Sequence, residues 1–111
     1  KIHIFPFSAR RGTPAASFPD QLSQELKHER VERLSAVEAE LRNQYFNSLM
    51  GSRLRVLVES PITSTDPGQT GIFIGTSCRY APVELEAQSS DEGNFVEVVA
   101  GAVADGRIVA D

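Results

Sequence analysis

Two hydrophobic periods divide this chain. Leu26, Leu34, Val37, Leu41, Tyr45 and Leu49 return at helical spacing and predict one long helix over residues 23–50. Ser23 stands where an N-cap oxygen is needed, Glu25 sets a carboxylate at the positive dipole end, and Gly51 is placed to close the helix in the left-handed conformation. On the opposite face, Glu29–Arg33 and Glu38–Arg42 are acid-first pairs four residues apart. From Arg53 the period falls to two. Leu54, Val56 and Val58 alternate with Arg53, Arg55, Leu57 and Glu59, the signature of a half-buried strand. Further short strands are predicted at Ile72–Ile74, Tyr80–Glu86, Phe95–Val99 and Arg107–Ala110. Between them lie a loop over Ser60–Thr70, a turn over Ser89–Asn94 and the tight-turn pair Asp105-Gly106. About five short strands in roughly 60 residues give an α+β fold class: a long helix, then a small five-stranded antiparallel β-barrel of OB-like size. So small a barrel is marginal on core size alone, and the apolar stripe of the helix is expected to supply the missing burial.

Ahead of the helix, the run Ile2–Phe7 predicts a short strand buried on both faces, with Pro6 confining it to an edge or end position. Residues 8–20 read as a loop punctuated by Gly12, Pro14 and Pro19. A start at Lys1, inside a strand and without an initiator Met, and an end at Asp111 suggest a fragment of a longer chain.

Composition narrows what such a chain can do. Hydrophobic residues are 41% and charged residues 23%, which is globular rather than disordered composition. No apolar run approaches the ~20 residues of a transmembrane helix and no signal-peptide pattern opens the chain, so no membrane partner is expected. The net charge of −4 is unevenly divided. Residues 1–50 hold seven Lys/Arg against six Asp/Glu, whereas residues 51–111 hold four against nine. Nucleic-acid binders are usually basic, because phosphate neutralisation supplies their affinity, so any RNA contact here rests on a local patch. Cys78 is the single cysteine, which excludes an internal disulfide and fits a cytoplasmic, reducing setting. It also excludes an iron–sulfur cluster, which needs about three or four thiolates. His3 and His28 lack partners at ligand spacing, and no nucleophile–base arrangement, P-loop or dinucleotide fingerprint is present.

Two motifs carry a resemblance. The segment Phe5-Pro6-Phe7-Ser8-x-Arg10-x-Gly12-Thr13-Pro14-Ala15 resembles the last barrel strand and following loop of the radical-SAM tRNA methylthiotransferases. The segment Gly75-Thr76-Ser77-Cys78-Arg79-Tyr80-Ala81-Pro82-Val83 is similar to the Gly-x-Thr-x-x-Tyr-x-x-Val pattern of the TRAM domain that follows in that family, with Ser77 in place of threonine. The resemblance implies that residues 1–50 are the end of a partial β/α barrel and residues 51–111 a TRAM barrel. It implies that Ser8, Arg10, Gly12 and Thr13 lie at the lip of the catalytic barrel, beside S-adenosylmethionine and substrate. Arg11 departs from the pattern, since proline is common there. The parent enzyme would use 4Fe-4S clusters and S-adenosylmethionine to insert a methylthio group at carbon 2 of a modified adenosine next to the anticodon. The opening His3–Ser8 resembles most the threonylcarbamoyl-adenosine branch. The isopentenyl-adenosine branch is the alternative, and the ribosomal-protein branch is less favoured. No cofactor is expected on this fragment, which should be inactive by itself, and its implied partners are tRNA and the catalytic domain of its own chain. A monomer is expected.

The residues that would meet RNA are Arg53 and Arg55 on one face of the first barrel strand, with Arg79 and Tyr80 in the second motif. A tyrosine stacks on an unpaired base while an adjacent guanidinium holds phosphate. Against this stands a plainer reading, in which Tyr80 fills the barrel mouth, the arginines are solvated and the barrel is a docking module for the catalytic domain. Clustering of Arg53, Arg55 and Arg79, with Arg107, on one exposed face would favour RNA. Dispersal would favour docking.

Overall fold

The computed structural model describes residues 1–63 and 66–111, and it forms two compact units, Lys1–Arg42 and Asn43–Asp111. Among the described residues one α-helix, α1 (Gln24–Ser48), precedes five strands: β1 (Arg53–Pro61), β2 (Thr70–Ser77), β3 (Pro82–Gln88), β4 (Phe95–Ala104) and β5 (Arg107–Ala110). The helix starts where the sequence predicts, because the Ser23 hydroxyl accepts the Leu26 N–H at 3.2 Å and the Ser23 carbonyl accepts that of Lys27 at 3.0 Å. Gly51 has φ +79, so it turns the chain as a residue after a helix end does, and its N–H donates to the Ala100 carbonyl of β4 at 2.8 Å.

The strands join in the order β1-β2-β3-β5-β4, and β4 pairs back onto β1 to close a barrel. Four of the ladders are antiparallel, but β3 and β5 run parallel through Val83–Ile108 and Glu84–Val109. The sheet is therefore mixed, which corrects the expected antiparallel barrel. A closed ring with an odd number of strands cannot alternate direction all the way round, so one parallel pair is unavoidable. Asp105 and Gly106, both at positive φ, form the tight turn from β4 to β5.

Alternation along β1 places Leu54, Val56 and Val58 inside, where they meet Phe73, Val83, Leu85, Ala100 and Ile108 in one buried cluster. Several strands run further than expected, β3 ending at Gln88 and β4 continuing to Ala104. β1 runs on to Pro61 and β2 begins at Thr70, so the predicted Ser60–Thr70 loop is shorter than expected, and its Ser64 and Thr65 lie outside the described residues. β2 also passes close beneath β1 at Gly75: a Cβ there would strike the Leu57 carbonyl and lie 2.6 Å from a Val56 methyl. That approach explains the glycine that opens the second motif.

Other expectations are corrected. Residues 1–7 form no strand, and Phe5 is 83% exposed, because no neighbouring strand among the described residues offers a ladder. The predicted helix stripe reaches the barrel core only through its last member, Leu49. Leu34, Val37, Leu41 and Tyr45 are exposed, and the helix residue that enters the core is Phe46, with Leu49 and Met50 packed against it. Tyr80 belongs to the turn before β3, not to the strand. Of the two predicted helix pairs, Glu38–Arg42 forms at 3.5 Å, and a His28–Glu32 contact at 3.1 Å replaces Glu29–Arg33.

Candidate nucleic-acid interface

Opposite the core, β1 turns Arg53, Arg55, Leu57 and Glu59 outward. Register fixes their neighbours. On β4, Phe95 stands across from Leu57, Glu97 from Arg55 and Val99 from Arg53; on β2, Thr76 stands across from Leu57. The Arg55 guanidinium lies over the Phe95 ring, 4.3 Å from its centroid. This is a cation–π contact on an exposed surface, and it holds a flexible cation against the ring face. Beside it, a groove of about 390 Å³ has Arg55, Phe95, Tyr80 and Thr76 among its walls.

Tyr80 is delivered to that groove by a turn with an unusual construction. Its backbone has φ +62, a left-handed conformation that costs a bulky residue about 1–2 kcal/mol. The turn is held by Ser77, which is 5% exposed and whose hydroxyl oxygen accepts the N–H groups of Arg79 (3.2 Å) and Ala81 (3.1 Å). The Tyr80 N–H donates to the Ser77 carbonyl at 3.0 Å, and the Ser77 N–H to the Ala81 carbonyl at 3.0 Å. A threonine would present the same oxygen, which is why serine can replace it in the motif. From α1, the Tyr45 hydroxyl donates to the Arg79 carbonyl at 3.0 Å and braces the turn from outside. The result is a tyrosine 92% exposed and aimed at solvent. The reading in which Tyr80 fills the barrel mouth is thereby corrected.

The arginines do not all gather. Arg53 and Arg55 share the outer face of β1, and Arg79 is exposed in the Tyr80 turn. Arg107 sits on β5, which pairs with β3 and β4, and its side chain contacts Glu84 at 3.3 Å. Phe95 and Glu59 escaped the sequence reading of the interface. The parity of β4 held the signal for Phe95: with Val96 and Val98 turned inward, an aromatic at position 95 must face out.

In the first unit, the Ser8–Thr13 loop is a tight turn. The Thr13 hydroxyl and N–H both donate to the Arg10 carbonyl, at 2.6 and 3.2 Å, and Gly12 takes φ +85. Gly12 and Thr13 thus shape the turn, while Ser8 and Arg10 remain exposed. The Lys27 ammonium donates to the Phe7 carbonyl at 2.9 Å and lies 5.6 Å from the centre of the Phe7 ring, tying this segment to the helix. The chain's own donors do not fit an iron–sulfur cluster: Cys78 is its single thiol, and the described residues hold no group of three potential metal ligands. Among the described residues, no helix is long and apolar enough to cross a membrane.

No family model matches the chain. Among curated proteins, it is 32% identical over 98 residues to the threonylcarbamoyladenosine tRNA methylthiotransferase MtaB of Bacillus subtilis, covering 88% of this chain and 21% of that protein. It is 34% identical over 107 residues to the tRNA-2-methylthio-N(6)-dimethylallyladenosine synthase of Agrobacterium fabrum, covering 96% and 22%. It is 33% identical over 101 residues to the ribosomal protein uS12 methylthiotransferase RimO of Pelobacter propionicus, covering 86% and 22%. The chain belongs to this methylthiotransferase family and matches its C-terminal part. It spans about one fifth of the length of the curated relatives it matches. Identities of 32, 34 and 33% do not separate the three branches, so the ribosomal-protein branch stands as near as the two tRNA branches.

Proposed function

We propose that this chain is the RNA-binding part of a tRNA-modifying methylthiotransferase, its barrel being an OB-like TRAM domain. The observation that carries the reading is the outer face of β1, where Arg55 is stacked on Phe95 beside the solvent-aimed Tyr80. Aromatic rings with adjacent guanidiniums are how sequence-tolerant single-strand binders hold unstacked bases and their phosphates. On this reading Arg53, Arg55 and Arg79 hold phosphate and Tyr80 stacks. The acidic remainder of the barrel keeps non-specific affinity low, so contact is confined to this patch.

The parent enzyme would add a methylthio group at carbon 2 of a modified adenosine next to the anticodon. Threonylcarbamoyl-adenosine is favoured by the His3–Ser8 opening, and isopentenyl-adenosine is the alternative. Its 4Fe-4S clusters would be ligated by thiolates elsewhere in the parent, and the chain alone would be inactive. S-adenosylmethionine and substrate would lie near the Ser8–Thr13 loop, where the exposed Arg10 offers a two-pronged grip for a carboxylate or phosphate and Gly12 and Thr13 hold the turn. The exposed apolar residues of the first unit would pack on the catalytic domain, the second partner of this segment. A cytoplasmic setting is in keeping with the single thiol, and the chain would act as a monomer.

A tRNA titration of the 111-residue chain, followed residue by residue by NMR, tests the proposal. Shifts confined to Arg53, Arg55, Tyr80, Phe95 and their neighbours are the expected result. An unperturbed β1 face at saturating tRNA would overturn it.

A further inference from the structure

The groove beside Tyr80 has two unlike ends. At one, Arg55 lies over Phe95; at the other stands Glu59, four residues along β1, about 13 Å in an extended strand. Leu57, half-buried between them, forms an apolar floor. Glu59 is placed there by the fold. It is the extra residue of a bulge in β1, since Val58 pairs with Gly75 and Ser60 with Ile74. Bulges re-aim a side chain and collect beside sites. The Thr76 hydroxyl of β2 donates to one Glu59 carboxylate oxygen at 2.7 Å, fixing its direction and leaving lone pairs on both oxygens.

A carboxylate on a surface that holds phosphates repels the nucleic-acid backbone. It is tolerated where the ligand turns hydrogen-bond donors toward it. A nucleotide has such a polarity: phosphate at one end and, in adenine, cytosine and guanine, an exocyclic amino group at the far edge of the base. Uracil offers there one N–H flanked by two carbonyl oxygens, which a carboxylate repels. Resting on the RNA-binding reading above, we infer that this groove is a one-nucleotide subsite. The phosphate lies at Arg55, the base sits over Leu57 against the aromatic walls, and Glu59 selects bases that carry an amino group over uracil. Glu59 is the specificity-determining residue, and Thr76 is its positioning residue.

Binding of the full chain to 5′-labelled hexanucleotides of A, C and U, read by fluorescence anisotropy in low salt, tests this. The wild type binds the A and C oligomers about threefold to tenfold more tightly than the U oligomer, the scale of one hydrogen bond net of desolvation on an exposed surface. In Glu59→Gln the side chain can also donate to a uracil carbonyl, so U affinity rises and the ratio falls toward one. Thr76→Val lowers the ratio with the charge unchanged. Thermal melts of both variants guard against misfolding. Equal wild-type affinities, or a preference that survives Glu59→Gln, would overturn the inference. If Tyr80→Ala and Arg55→Ala still weaken binding in that case, the RNA face stands without base selection. Binding that neither alanine variant weakens would overturn both.

Discussion

The two units spend their apolar residues in opposite ways. All eleven members of the buried core, from Phe46 to Ile108, belong to Asn43–Asp111, and Lys1–Arg42 contributes none. In the first unit Ile2, Phe5, Phe7, Phe18, Leu34, Val37 and Leu41 are all exposed. The difference lies in closure. A barrel whose last strand returns to its first satisfies its own ladders and encloses its own side chains. A lone apolar segment and one helix can do neither, whatever their hydrophobicity. The outward residues of the barrel are thereby left to solvent, whereas the apolar residues of the first unit still lack an inside.

The sharpest way to break this contrast is within α1 itself. Phe46→Ala should destabilise the barrel by about 3–5 kcal/mol, whereas Leu41→Ala, five residues earlier and exposed, should cost under about 1 kcal/mol. Urea melts of the two variants decide it, and similar losses would mean that the helix stripe is part of the core after all. Gly75→Ala comes next, because its methyl must displace strand backbone at the Leu57 carbonyl. A loss of about 1–3 kcal/mol is expected, with the amide resonances of β1 and β2 shifted and those of residues 1–42 unmoved.

Tyr80→Asn separates function from stability on the barrel surface. RNA affinity should fall by about 1–3 kcal/mol through loss of stacking. The melting temperature should hold or rise, since asparagine accepts the left-handed backbone more readily than tyrosine. A matching loss of stability would show that the ring supports the fold. The smallest effect is expected from Tyr45→Phe, which deletes the hydroxyl bracing the Arg79 carbonyl: about 0.5–1 kcal/mol in RNA affinity, with faster amide exchange confined to residues 78–81.

Much of the barrel was legible before any coordinates. The run Leu54, Val56, Val58 announced its buried face, Ser23 and Gly51 marked the helix limits, and Asp105-Gly106 marked the last turn. Closing five strands into a ring requires at least one parallel pair, since an odd ring cannot alternate throughout, but that the pair is β3–β5 was not legible. At the interface, the type of residue was legible but its setting was not. Tyr80 and Arg55 could be picked out as chemistry suited to RNA, but their meeting with Phe95 depends on a register between β1 and β4 separated by some 40 residues of chain. The Ser77 turn that exposes Tyr80 depends on bonds across four residues that no hydrophobic period encodes.

Local periodicity and capping chemistry settled which segments would be strand or helix and which strand faces would be buried, because those preferences act between residues near in sequence. Contacts between distant residues settled the rest: whether Ile2–Phe7 becomes a strand, which helix residue enters the core, and which outward side chains share a groove. A ladder, a core and a binding surface each need partners that folding alone brings together.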